Sequence, residues 1–226
     1  LVGLTATPAA HTYGFFRQNL VMEYGHEEAV ADGVNVDFEV YRIRTKITEQ
    51  GGKIEATGEP VLGVRDRRTR KTRWQAPDEP VTYAATDLDR AVVARDQLRT
   101  VVCAFRDRLF TEIFPGRTEV PKTLVFCKDD NHAEDVVDVL REEFAKGNEF
   151  CQKITYKVQG KKPADLIQEF RNSYYPRIAV TVDLVATGTD IKPIEVVVFL
   201  RTVKSRVLFE QMKGRGVRVI GETDLR

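Results

Sequence analysis

From Thr123 onward the chain alternates short, almost unbroken apolar runs with amphipathic stretches, and no other feature limits its fold as strongly. The runs TLVF (123–126), IAVTV (178–182) and VVVFL (196–200) leave no polar face for water. Strands of that kind are covered on both sides, as in a sheet sandwiched between helices. Asn131 to Ala145, Pro163 to Asn172 and Ser205 to Lys213 carry helical spacing between the strands, and Lys153 to Gln159 reads as a further strand. Parallel neighbours need a crossover between them, which a helix supplies. The expected fold class is therefore α/β, a parallel sheet flanked by helices. Asn131 with Glu134 makes a capping pair, and Pro163 stands where a first helical turn tolerates proline.

Upstream the periodicity differs. Asp87 to Phe114 places Leu88, Val92, Val93, Leu98, Val102, Phe105 and Leu109 on one helical stripe, which Phe114-Pro115-Gly116 ends. Residues 34–47 alternate at Val34, Val36, Phe38 and Val40, then slip to Tyr41 and Ile43, the pattern of a half-buried strand with a bulge. After a turn at Gly51-Gly52, Lys53 to Val64 and the stretch up to Trp74 supply short strands for a small antiparallel appendage with a cationic edge. Residues 1–8 read as the end of a buried strand that turns at Thr7-Pro8. The chain opens on Leu1 rather than methionine and ends at Arg226 without a helix stop, so a fragment of something longer is expected.

Composition removes several classes. Apolar residues are 42% and charged residues 31%, as in ordinary globular proteins, and no apolar run approaches the roughly 18 residues of a membrane helix. Cys103, Cys127 and Cys151 have no C-x-x-C spacing, and His11, His26 and His132 are scattered, so neither a disulfide framework nor a metal site is expected, and a cytoplasmic setting fits. The net charge of +1 hides local runs: six basic residues against Asp66 between Val64 and Arg73, and six against Glu210 between Arg201 and Arg218. Such patches suit phosphate backbones, although a solvated surface has the same composition.

In sheets of this kind, ligands gather at the carboxyl ends of the strands. After Asp183 comes Leu184-Val185-Ala186-Thr187-Gly188-Thr189-Asp190, whose glycine permits close approach and whose hydroxyls can bond phosphates. Any turn draws on the same residues. Beyond the next strand, Gln211-Met212-Lys213-Gly214-Arg215-Gly216-Val217-Arg218 sets two arginines three residues apart around glycines. A guanidinium is a planar fork of donors suited to a phosphoryl group whose charge spreads as a bond breaks. Two exposed loop arginines are the plainer reading.

Taken together and in order, these segments resemble superfamily 2 helicases: Thr5-Ala6-Thr7 is similar to motif III, Leu124-Val125-Phe126-Cys127 to motif IV, Val182 to Ile191 to motif V, and Gln211 to Arg218 to motif VI. Phe114-Pro115-Gly116-Arg117, Pro121 to Phe126, Gly147 to Cys151, Lys153 to Tyr156, Pro176 to Asp183 and Val203-Lys204-Ser205 resemble more closely the R (motor) subunits of type I restriction enzymes. The resemblance implies a RecA-like second motor lobe over 85–226, a β-rich connecting segment over 34–84, and the end of a first lobe with its linker over 1–33. It further implies that Arg215 and Arg218 face the phosphates of ATP, with Gln211 beside them. Gly188 and Asp190 would lie near the ribose, Thr187 would face the DNA backbone, and Thr5 and Thr7 would couple the lobes.

The parent motor would use ATP and Mg²⁺, step along double-stranded DNA, and act with modification and specificity subunits to cleave unmodified DNA. The chain departs from the pattern in lacking G-x-x-x-x-G-K-[ST], a D-E-x-H strand end and a nuclease P-D…E-x-K arrangement. Alone it is expected not to hydrolyse ATP. Another superfamily 2 motor and a non-catalytic nucleic-acid-binding module are the rival readings.

Overall fold

A computed structural model describes residues 2–43, 52–54, 62–65, 72–75, 81–83, 93–157, 160–183, 191 and 193–221. Two short helices, α1 (Ala10–Phe15) and α2 (His26–Ala31), come first. Five short strands follow: β1 (Gly52–Ile54), β2 (Leu62–Arg65), β3 (Thr72–Gln75), β4 (Val81–Tyr83) and β5 (Val93–Ala94). They pair antiparallel, β1 with β4 and β2 with both β3 and β5. The cationic edge expected from Arg65 to Arg73 lies outside what is described of that segment.

The rest is the α/β lobe. α3 (Arg95–Arg108) widens into a π turn at Leu109–Ile113. Then come β6 (Thr123–Phe126), α4 (Asp130–Phe144), β7 (Cys151–Lys153), α5 (Pro163–Asn172), β8 (Ile178–Thr181), β9 (Val196–Phe199) and α6 (Arg206–Lys213). The sheet runs β7-β8-β6-β9 with every pair parallel, as the apolar runs required.

Alternation along β6 divides the core in two. Val125 points into a cluster with Val180, Val102, Val136 and Leu140, under α3 and α4. Leu124 and Phe126 point the other way, to Leu166 and Phe170 of α5 and Met212 of α6. With both faces covered, Thr123 to Cys127 are fully buried. Besides that packing, the Glu143 carboxylate of α4 accepts from Arg99, Arg106 and Cys103 of α3 and is 8% exposed. The Cys103 hydrogen bond, with the two guanidiniums, holds Glu143 below its ordinary pKa against the opposing effect of burial.

Opposite the carboxyl ends of the strands lies a second polar knot. Lys122, 4% exposed, donates from Nζ to the carbonyls of Ser173 (2.6 Å) and Pro176 (2.7 Å) and sits 5.0 Å from the Phe170 ring centroid. Burial, with Arg177 nearby, pulls its pKa down to about 7. Arg117 forks onto both Glu195 oxygens, so Phe114-Pro115-Gly116-Arg117 ties the approach to β6 to that of β9.

Several local expectations are corrected. The cap of α4 is Asp129, whose carboxylate accepts from the His132 amide at 3.0 Å, and Asn131 is inside the helix. The strand expected at Lys153 to Gln159 is Cys151–Lys153: buried Cys151 enters the sheet, and the chain turns at Thr155, whose hydroxyl donates to Asp130. Val93 belongs to β5, while Leu98, Val102, Phe105 and Leu109 form the buried stripe and Leu88 and Val92 lie outside the described residues. Val2 and Leu4 are exposed, because no described strand pairs with residues 2–5. Residues 34–43 are extended but mostly unpaired, with Val34 and Val40 exposed, so the half-buried strand reduces to one bridged point at Asn35.

Candidate functional site

α6 is built to deliver its last turn to a fixed place. Ser205 caps it by accepting from the Leu208 amide at 3.2 Å. Its inner face buries Met212, and Phe209 stands 5.3 Å from Phe199 of β9, which stacks on Phe126. Beyond Lys213 the backbone closes a tight turn, with the Arg215 amide donating to Met212 O (3.2 Å) and the Gly216 amide to Lys213 O (3.0 Å). Gly216 permits close packing: a β carbon there would sit 2.8 Å from Val197 Cγ2. Val217 is 7% exposed, so Arg215 and Arg218 flank a buried anchor and are themselves partly exposed.

The amino-terminal segment meets this turn. Gln211 donates from Nε2 to Thr7 Oγ1 at 3.3 Å, and Thr5 Oγ1 accepts from the Thr7 amide at 3.2 Å. Thr5 and Thr7, expected to couple the lobes, and Gln211, expected beside the arginines, form one hydrogen-bonded chain. Asn35 pairs antiparallel with Arg218, and the Val36 amide donates to Val217 O at 2.9 Å. Lys213 Nζ lies 4.7 Å from the Phe38 ring centroid while also pairing with Glu210 at 2.6 Å.

Thr5, Thr7 and Gln211 are therefore joined by hydrogen bonds, and Arg215 and Arg218 follow Gln211 in the turn that ends α6. Thr187, Gly188 and Asp190 lie outside the described residues. What flanks their loop is firmly seated: Thr181 donates to Ile154 O at 2.8 Å, Arg201 donates to Val182 O at 3.3 Å, and Ile191 and Ile194 are buried.

At the carboxyl end of β7, Lys153 bridges Asp130 and Glu134, and Thr155 also donates to Asp130. Burial alone would push the Asp130 carboxyl up, but the Thr155 and Lys153 hydrogen bonds and the Lys153 charge outweigh it and hold the group low. The cluster is internally satisfied. Among the described residues, no group of three or more His, Cys, Asp or Glu could hold a metal ion. The donor set at the turn is cationic: it fits an anion such as a triphosphate and offers no ligands for Mg²⁺.

Sequence reasoning missed the part of Asn35, Val36 and Phe38. Their alternation was visible, but it signals an extended segment without saying which edge that segment meets. It also missed the 2.8 Å approach at Gly216, because a glycine in a basic loop reads as a turn residue.

Comparison with known proteins gives a consistent result. The model of the helicase conserved C-terminal domain family matches residues 106–220. The type I restriction enzyme EcoKI endonuclease subunit of Escherichia coli K12 is 34% identical over 233 residues, covering 99% of this chain and 19% of that protein. The EcoAI endonuclease subunit of Escherichia coli is 28% identical over 227 residues, covering 96% of this chain and 26% of that protein. A solved fragment described as an HsdR subunit of a type I restriction enzyme from Vibrio vulnificus YJ016 is 28% identical with a TM-score of 0.46, covering 56% of this chain and 25% of that one. The chain thus spans about a fifth to a quarter of the length of the curated relatives it matches. No helix among the described residues is long and apolar enough to cross a membrane.

Proposed function

Because this chain belongs to the family of helicase conserved C-terminal domains, we propose that it is the second motor lobe of an ATP-driven DNA translocase of the type I restriction class. The observation that carries this reading is the arginine turn after α6, joined through Gln211 to Thr7, 204 residues away. Relatives similar along 99% and 96% of the chain supply the class.

In this reading Arg215 and Arg218 present their guanidinium forks to the phosphates of ATP, where developing charge on the equatorial oxygens is stabilised by fixed donors. When bound, ATP supplies the transferable phosphoryl group, and Mg²⁺, held outside this lobe, offsets its charge. Gln211 holds Thr7 and thereby relates the arginine turn to the amino-terminal segment. Thr187 meets the DNA backbone, and Gly188 with Asp190 borders the ribose. The parent protein works on double-stranded DNA with modification and specificity subunits in the cytoplasm, and cleaves unmodified DNA. This chain alone lacks the Walker lysine, the acidic pair and the nuclease residues, and does not turn over ATP.

The test is DNA-stimulated ATP hydrolysis by this chain and by a chain extended upstream through a first lobe. Activity is expected only in the extended chain, and Arg215→Ala should lower its kcat by about a thousandfold or more. Near-normal turnover by the Arg215→Ala protein would remove the assignment. Inactivity of both folded chains would favour a binding module.

A further inference from the structure

The arginine turn is held from two sides, and the second side comes from a segment to which the proposed chemistry gives no role. From the lobe, Val197 of β9 presses against Gly216. A second contact comes from residues 34–38, which run along the turn as a strap. The strap is itself anchored: the Val34 and Asn35 amides donate to Ala29 O at 2.8 and 3.0 Å, and Ala29, in α2, is 4% exposed. The His26 ring of α2 stands 5.4 Å from the Phe38 ring, and its Nε2 lies 3.9 Å from Asp37 Oδ1.

The strap then grips the turn at two places, a ring contact and one backbone bridge. Phe38 lies under the Lys213 ammonium, two residues before Arg215. The Val36 amide binds the carbonyl of Val217, the residue between Gly216 and Arg218. Asn35 pairs with Arg218 itself. Of these contacts, the Val36 bond fixes a peptide plane directly adjoining Arg218, and the Phe38 contact fixes the exit of α6.

We infer that Asn35, Val36 and Phe38 are positioning residues for the two arginines, setting where their guanidiniums stand when the motor cleft closes. The inference rests on the reading of Arg215 and Arg218 as phosphate-facing groups. Its physical basis is the steep dependence of a preorganised site on geometry: donors must already stand where charge will develop, and a displacement of about 1 Å can cost on the order of a hundredfold in rate. A glycine-flanked turn packed on one side only has freedom to move away from that packing. The strap removes that freedom by backbone pairing, and Phe38 adds a cation–π contact with the stem of the same turn.

The experiment uses the full-length parent chain, measuring kcat and KM for ATP at saturating DNA, with thermal unfolding of each protein alongside. Phe38→Ala removes the ring, Phe38→Tyr keeps it, and Val36→Pro removes the amide donor while also fixing φ and replacing the valine side chain; Arg215→Ala is run in parallel. Phe38→Ala and Val36→Pro are expected to lower kcat by about tenfold while KM changes by less than about threefold, with Phe38→Tyr close to the parent. Should Val36→Pro fail to fold, the Phe38 pair decides alone. Unchanged kcat in Phe38→Ala, beside a large loss in Arg215→Ala, would overturn the strap and leave the arginine assignment standing. A loss in Phe38→Ala that only tracks the fraction unfolded, without rescue by tyrosine, would reduce the strap to ordinary packing and overturn it equally. Turnover that survives Arg215→Ala would instead remove the reading on which the strap rests.

Discussion

Substituting alanine for Gly216 adds a single carbon, and the structure says what that carbon meets. It would stand 2.8 Å from Val197 Cγ2, where ordinary contact begins at 3.4 Å, so turn and strand must part by roughly 0.6 Å. Val197 is β-branched, with its χ1 restricted, and cannot swing that methyl away cheaply. Overpacking of this kind costs about 1 to 3 kcal/mol. The next nearest atom of the same side chain, Cβ, would be 3.9 Å away, which is comfortable. Val197→Ala therefore removes the clash and leaves the rest of the contact intact. Urea unfolding of the parent chain, both single variants and the double variant completes a cycle. Gly216→Ala is expected to lose about 2 kcal/mol, and the double variant to recover at least about 1 kcal/mol relative to the sum of the singles. In an extended, ATP-hydrolysing chain the same pattern should appear in kcat: a fall of about tenfold or more in Gly216→Ala, largely restored by Val197→Ala. Additivity within about 0.5 kcal/mol would mean that the turn relaxes away from β9 at no cost, and that Gly216 does not seat the arginines.

Two further outcomes follow from buried charges. Lys122, drawn down to about 7 by burial and by Arg177, keeps its proton in the unfolded chain up to about 10.5. Between those values the unfolded state binds the extra proton, so the wild-type chain should gain stability over Lys122→Met as pH rises, by up to about 1.4 kcal/mol per pH unit. Urea titrations of both proteins at pH 7 and 9 measure it, and a pH-independent difference would contradict the burial argument. Glu143 has the opposite sign: its carboxyl is held low, so its contribution is present above 4.5 and lost as pH falls below that value. Glu143→Gln should cost about 1 to 2 kcal/mol at pH 7, with the difference shrinking toward pH 3; a constant difference would assign it to packing rather than charge.

The lobe was legible in the sequence because a run of three or more consecutive apolar residues leaves a strand no polar face to turn to water. TLVF, IAVTV and VVVFL therefore marked β6, β8 and β9, although β9, at the sheet edge, is only half-buried rather than covered on both faces. β7 was misplaced because its sequence, Cys-Gln-Lys, contains one apolar residue; it is a strand by virtue of pairing with Ile178 to Val180, which no local pattern announces. The cap of α4 moved to Asp129 because two candidates two positions apart compete, and the one with an extended backbone and a carboxylate that accepts from the His132 amide wins. At the site, glycines and arginines of the last turn were visible as chemistry. Their support was not, since Val36, Phe38 and Val197 are ordinary apolar residues whose importance comes only from what they touch.

The strap also bears on how the molecule reaches its final state. Asn35 and Arg218 are 183 positions apart, so their bridge closes a loop containing nearly the entire lobe. A contact of that span gains nothing until the intervening sheet exists, and its closure entropy must be met by only a few hydrogen bonds and one ring contact. It is accordingly expected to form last and to open first, by sub-global fluctuation rather than complete unfolding. The Val36 amide, on this view, exchanges with solvent deuterium much sooner than the amides of β6, and the arginine turn is assembled only after everything that it serves is already folded.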